Sequence, residues 1–141
     1  SIVFSVGNSV ETNTNTHTYI AYCFAPVEGY SAMGSYTGNG SADGPFVYTG
    51  FRPKFVMLKR FDSSGGDWRI FDTERDPYNV ATKNLFGNNS DAEGGSSGIT
   101  DFDIVSNGFK LRASHSALNP SGGEYIYLAF AENPFKTARA R

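Results

Sequence analysis

Asp101-Phe-Asp-Ile-Val-Ser-Asn-Gly-Phe-Lys-Leu-Arg-Ala113 is the stretch whose reading decides the fold class. Asn107-Gly108 is the preferred pair for a two-residue type I′ turn, because both of its central positions need positive φ. Pairing outward from that turn sets Ser106 opposite Phe109, Ile104 opposite Leu111 and Phe102 opposite Ala113. The apolar side chains then share one face, and Asp103, Lys110 and Arg112 share the other. Turn chemistry and alternation agree, so the segment predicts an antiparallel hairpin with one buried face.

The rest of the chain repeats this grammar. Sixteen glycines, twelve phenylalanines and eight tyrosines combine turn formers with strand formers. Alternation and aromatic content predict further strands at residues 2–6, 19–25, 31–36, 46–48, 54–61, 67–71 and 125–131. Gly29, Gly38, Gly40, Gly50, Gly65-Gly66, Gly94-Gly95 and Gly122-Gly123 punctuate them, and residues 80–86 are the one plausible short helix. Many short strands at this spacing predict an all-β fold with little helix, a β-sandwich of antiparallel strands of jelly-roll or lectin-like type. The 141 residues suit one domain, 1–141. A first residue that is serine rather than methionine predicts a processed chain or a piece of a longer one, the piece being preferred.

An internal echo complicates the boundary. Tyr19-Ile-Ala-Tyr-Cys-Phe-Ala25 matches Tyr125-Ile-Tyr-Leu-Ala-Phe-Ala131 at four of seven positions. Each follows a phenylalanine and a polar loop, Phe4 to Tyr19 spanning fifteen positions and Phe109 to Tyr125 sixteen. Residues 1–25 therefore read either as part of this domain or as the closing hairpin of a preceding repeat unit. Two buried aromatic strands alike only in composition are the plainer alternative.

Charge narrows the function classes. Twelve basic residues nearly balance fourteen acidic ones without a basic block, so neither nucleic acid nor a membrane surface is an expected partner. No apolar run approaches the ~20 residues of a membrane-spanning helix. Cys23 has no second cysteine to bridge, and it lies inside an apolar run where a thiol acts as a small hydrophobe.

Several longer stretches carry a resemblance. They are Tyr19 through Tyr30, Gly34-Ser-Tyr-Thr-Gly-Asn-Gly40, Gly50-Phe-Arg-Pro-Lys-Phe-Val-Met-Leu-Lys-Arg60, Trp68-Arg-Ile-Phe-Asp-Thr-Glu-Arg75, Phe102 through Leu111 and Tyr125 through Phe135. In this order, over nearly the whole chain, the sequence resembles a domain of unknown function recurrent in phage and prophage structural proteins, especially marine ones. The resemblance implies a virion location, in a tail fibre or other surface appendage. It also implies a structural or receptor-facing role, with other virion proteins or copies of the chain (a trimer among them) as partners. It carries over no catalytic residue, and Glu132 through Arg141 looks like the natural end of such a protein.

Chemistry is sparse along the chain. No Gly-x-Ser-x-Gly elbow is present, and the two imidazoles, His17 and His115, sit in polar loops. No Cys/His spacing suits zinc, and no metal or other cofactor is expected. Asp101 and Asp103 lie two apart on one strand face, and that pair, or a glutamate such as Glu74, keeps a glycan-cleaving enzyme as an alternative. A cross-strand ion pair of Asp103 with Lys110 or Arg112 is the preferred reading of that face. Carbohydrate recognition has more content, because sugars stack on aromatic rings and pair with planar polar groups. Trp68, Tyr30, Tyr36, Tyr78, Asn39 and Asp43 are the candidate contacts, on loops around residues 30–43 and 62–78, with a host surface glycan as the ligand. Trp68 alternates with Ile70, so a packing role competes with the sugar-binding one.

Overall fold

The hairpin forms as β6 (Phe102–Val105) and β7 (Gly108–Leu111) in a computed structural model that describes residues 3–64, 66–95 and 97–134. Its register differs from the expectation. Phe102 pairs with Leu111, Ile104 with Phe109 and Val105 with Gly108, so the turn is Ser106-Asn107 and neither residue has positive φ. The reason lies across the sheet. Gly108 is needed inside β7, where β2 (Phe46–Tyr48) runs so close that a Cβ would sit 2.1 Å from the Val47 carbonyl oxygen. A slip of two positions leaves every side chain on its expected face. Phe102, Ile104, Phe109 and Leu111 are buried, and Asp103 faces Lys110 on the other side.

Two antiparallel sheets result, with little helix. The larger contains β1 (Ser31–Thr37), β3 (Pro53–Arg60), β4 (Arg69–Asp72), β5 (Leu85–Phe86) and β8 (Glu124–Ala131), in the order β1-β8-β3-β4-β5. The smaller has the order β2-β7-β6. β7 and β8, consecutive in the chain, are thus each bordered by strands on both sides, one in each sheet. The strand expected at 46–48 has those bounds, and those expected at 31–36, 54–61, 67–71 and 125–131 are present with shifted ends.

Three expected elements are absent. Residues 80–86 form no helix, because Ala81 bridges to Phe102 and Asn84 to Gly94, while the Asp76 carboxylate accepts from the Thr82 and Lys83 amides. Residues 3–6 and 19–25 form no strand, for want of any neighbouring strand to pair with. Ile2 and residues 135–141 lie outside the described residues, as does Gly65 of the expected glycine pair. A single turn, α1 (Val10–Asn13), is the helix among the described residues.

The apolar faces of the two sheets meet in one core. Val56, Leu58, Phe71, Tyr125 and Ala129 come from the larger sheet, and Val47, Phe102, Ile104, Phe109 and Leu111 from the smaller. Phe71 stacks on Phe102 at 4.4 Å, tying the sheets together, and Phe102 stacks on Phe109 at 5.0 Å within the smaller one. Such ring pairs add about 0.5–1.5 kcal/mol each beyond their burial.

The connection from β7 to β8 is held by polar groups rather than by strand pairing. Asn119 is fully buried. Its side-chain amide donates to Asn39 Oδ1 (2.9 Å), the Ser41 carbonyl (2.8 Å) and the Ala113 carbonyl (3.1 Å), and its Oδ1 accepts from the Asn39 amide (2.7 Å). The Tyr36 hydroxyl donates to the Leu118 carbonyl and the Tyr125 hydroxyl to the Ser116 carbonyl. A buried amide with this many partners is costly to remove, since each abandoned group stays desolvated.

Residues 3–25 have the opposite character. Every one but Thr14 is exposed, including Ile20 at 79% and Tyr22 at 81%. The arm touches the domain through Phe24, whose ring meets Phe130 edge-on at 6.3 Å.

Candidate functional site

Two surface features are positioned by the strands just described. The first is an apolar groove on the outer face of the larger sheet. In β8 the core takes Tyr125 and Ala129, which leaves Ile126 and Leu128 to point outward, as the pleat requires. Met33 of β1 pairs with Leu128 and so does Met57 of β3, which gathers sulfur and aliphatic groups on that face. Trp68, one residue before β4, joins them there, and Tyr22 and Phe24 of the arm form the far wall. Trp68 is half-buried and held in place. Its amide donates to Asn88 Oδ1 (2.8 Å), its carbonyl accepts from Gly87 (2.9 Å), and the Lys59 ammonium lies 5.9 Å from its ring centre.

The second feature is a polar cleft of about 370 Å³ at one end of the two sheets. The pairing of Leu58 with Arg69 and of Arg60 with Tyr125 brings both guanidiniums to that end. Ser63, Gly66 and Asp67 of the β3–β4 turn supply one wall, and His115, Ser116 and Ala117 of the β7–β8 connection the other. Arg60 donates twice to Asp62, at 2.6 and 3.1 Å, which raises the guanidinium pKa and lowers that of the carboxyl. Arg69 lies over the Phe86 ring at 4.9 Å and donates to Asn84 Oδ1 at 3.3 Å, and burial lowers its pKa. Burial likewise pushes the Tyr125 phenol beneath the cleft up to about 12.

The candidate residues read from sequence fall in three places. Trp68 and Tyr30 share the outer face of the larger sheet, Tyr30 lying 5.7 Å from the Phe130 ring that Phe24 also meets. Tyr36 is a correction: it is 8% exposed, stacked on Tyr125 at 4.7 Å with its hydroxyl bonded, and so presents no ring to a ligand. The smaller sheet covers that face, the Phe109 ring lying 6.2 Å from that of Tyr36. Asn39 serves the Asn119 network, and its own amide donates to the Asp43 carbonyl. Asp43 is exposed and pairs with Lys110 at 2.8 Å, a contact that holds its carboxyl below the usual range. Tyr78 is 81% exposed, in a loop. Arg60, Arg69 and His115 of the cleft were not gathered by sequence reading, since only the sheet register unites them.

The carboxylates considered for catalysis are separately engaged. Asp103 pairs with Arg112 at 3.4 Å across the hairpin, Asp101 accepts from the Gly98 amide at 3.0 Å, and Glu74 pairs with Lys54. No three His, Cys, Asp or Glu side chains are grouped to hold a metal among the described residues. No helix among them is long and apolar enough to cross a membrane.

No curated protein and no solved structure matches the chain. Residues 1–134 match a family described as a domain of unknown function, DUF7483. By that match over nearly its whole length, the chain belongs to the DUF7483 family.

Proposed function

We propose that this chain is a non-enzymatic structural or receptor-contact module of a bacteriophage particle, in a tail fibre or other surface appendage. Its finer fold class is a β-sandwich of jelly-roll or lectin-like type. The viral setting rests on the resemblance set out above. The observation that carries the structural role is the apolar surface formed by the arm and the outer face of the larger sheet. A contiguous apolar patch of this kind marks a surface that meets another macromolecule. Its partners are other virion proteins or copies of the module, and no cofactor is needed.

Carbohydrate binding is the second reading, and the polar cleft favours it. Arg60, Arg69, His115 and Asp67 are planar polar groups converging on one concavity, the kind of lining that orients a saccharide. Two guanidiniums suit a sugar bearing carboxylate or phosphate. The host-surface contact proposed from sequence thereby moves from Tyr36 and the 30–43 loop toward the 62–78 loop, of which Asp67 is part.

The test is binding of the fluorescently labelled domain to a panel of bacteria, with and without competing surface polysaccharide. Saturable binding that competitor removes, and that Arg69→Ala or His115→Ala weakens tenfold or more while Trp68→Ala does not, would assign receptor contact to the cleft. Absence of binding to every strain, from folded protein, would leave assembly as the role.

A further inference from the structure

From Gly7 and Ala113 onward, the arm and the β7–β8 connection share a set of local hydrogen bonds at a constant separation of 106 positions (119 less 13, 125 less 19). Thr12 and Asn13 amides donate to the Ser9 carbonyl, as Leu118 and Asn119 amides do to His115. The Asn13 side chain donates to the Gly7 carbonyl at 2.9 Å, and that of Asn119 to the Ala113 carbonyl at 3.1 Å. The Tyr19 hydroxyl donates to the Val10 carbonyl at 3.0 Å, and the Tyr125 hydroxyl to the Ser116 carbonyl at 3.0 Å. The Glu11 amide donates to the Ser9 side chain as the Ala117 amide does to the His115 ring. The His17 amide donates to the Thr14 carbonyl as Gly123 does to Pro120. Thr16, with φ of 70°, stands where Gly122 has 75°. The four identities between residues 19–25 and 125–131 fall at this same separation.

We infer that residues 4–25 are the closing segment of a second two-sheet unit of this same fold, whose other strands precede the arm in a longer polypeptide. Two features of the arm follow from this. In the present domain the closing segment supplies an inner strand to each sheet, β7 and β8, so a copy of it without neighbours must leave both of its limbs bare. Phe4, Val6, Tyr19 and Ala21 accordingly line an apolar cleft, whereas Phe109, Leu111, Tyr125 and Tyr127 are packed in the core or against it; Phe4 and Val6 match Phe109 and Leu111 at a separation of 105, because the arm has one residue fewer, with no counterpart of Arg112, before Gly7. Tyr22 and Phe24 correspond to Leu128 and Phe130, on the outer face, and they rest on the outer face of the present domain. One side of residues 19–25 thus joins two units and the other completes the missing core. A strand apolar on both sides is what both contacts require.

The inference is independent of which particle or surface the module serves. Cys23 tests it, because it corresponds to the fully buried Ala129 and is exposed as the chain stands. Cys23 is also the single cysteine of the chain, so a thiol reagent reports on it alone. A tandem protein in which residues 26–108 are placed ahead of residues 4–141 supplies the missing strands and adds no thiol. Cys23 in the tandem should react with an aromatic disulfide reagent ~100-fold more slowly than in the 141-residue chain, as expected for a group reached only by cooperative opening. Tyr19→Asp should restore the fast rate. A second protein covers the case in which the tandem half fails to fold: the 141-residue chain with residues 109–131 replaced by residues 4–25, which should still melt in one cooperative transition. Fast Cys23 in the tandem together with loss of that transition in the graft would overturn the inference. So would a 141-residue chain whose Cys23 is already protected in a dimer seen by light scattering, since another copy would then cover the arm.

Discussion

Residues 9–25 and 115–131 make the same turn with a shared set of hydrogen bonds and end in segments identical at four of seven positions, yet one lies bare and the other runs through the middle of a sheet. The turn is thus written locally: side-chain hydroxyls and amides satisfy nearby backbone groups whatever lies beyond them. The strand is not. Residues 125–131 are β because β1 and β3 flank them, and residues 19–25, as rich in aromatic and β-branched side chains, remain unpaired. Strand propensity describes the fit to a half-buried pleated surface, and without that surface it has nothing to act on.

Substitutions in matched pairs should break this symmetry, and the largest difference is expected in the aromatic limb. Phe109→Ala, in the centre of the core, should cost about 4 kcal/mol by chemical denaturation. Phe4→Ala, at its counterpart in the arm, should cost under about 0.5 kcal/mol, as exposed sites do. The two asparagines come next. Asn119→Ala abandons the Asn39, Ser41 and Ala113 partners and should cost about 3 kcal/mol. Asn13→Ala loses one exposed bond to Gly7, and the midpoint should stay within error of the parent.

The turn positions sharpen the comparison at a smaller scale. Gly122→Ala puts a Cβ at positive φ inside the cooperative unit and should cost about 1 kcal/mol. Thr16→Gly relieves the same conformation in the arm and should leave the melting temperature unchanged.

The smallest effect concerns pH. Burial raises the phenol pKa of both Tyr36 and Tyr125 above 10, the latter to about 12. The unfolded chain therefore releases these protons first, so stability is complete below pH 10 and declines as pH rises toward 12. Tyr125→Phe should flatten that alkaline decline.

Much of the fold was legible because the pattern and the environment agree. Five strands and the 101–113 hairpin follow from alternation, since each has one buried face. The hairpin register was not legible. Asn-Gly states a local preference, whereas the close approach of Val47 to Gly108 is a tertiary fact that overrides it. Tyr36 was misread for the same reason, as nothing near it in sequence announces the sheet that covers it. The cleft of Arg60, Arg69 and His115 was out of reach, because it exists only once β3, β4 and the β7–β8 connection are in register. Residues 19–25 are the instructive case. They were read as a strand from a pattern that, under the inferred arrangement, suits neighbours lying outside residues 3–134.

Amide hydrogen exchange, followed residue by residue in the 141-residue chain, tests the contrast between the two segments most directly. The amides of Leu128, Ala129 and Phe130 should exchange only through global unfolding, while those of Tyr22, Cys23 and Phe24 exchange within a few-fold of unstructured peptides. Comparable protection in both segments would contradict it, for the arm would then already have the sheet it is taken to lack.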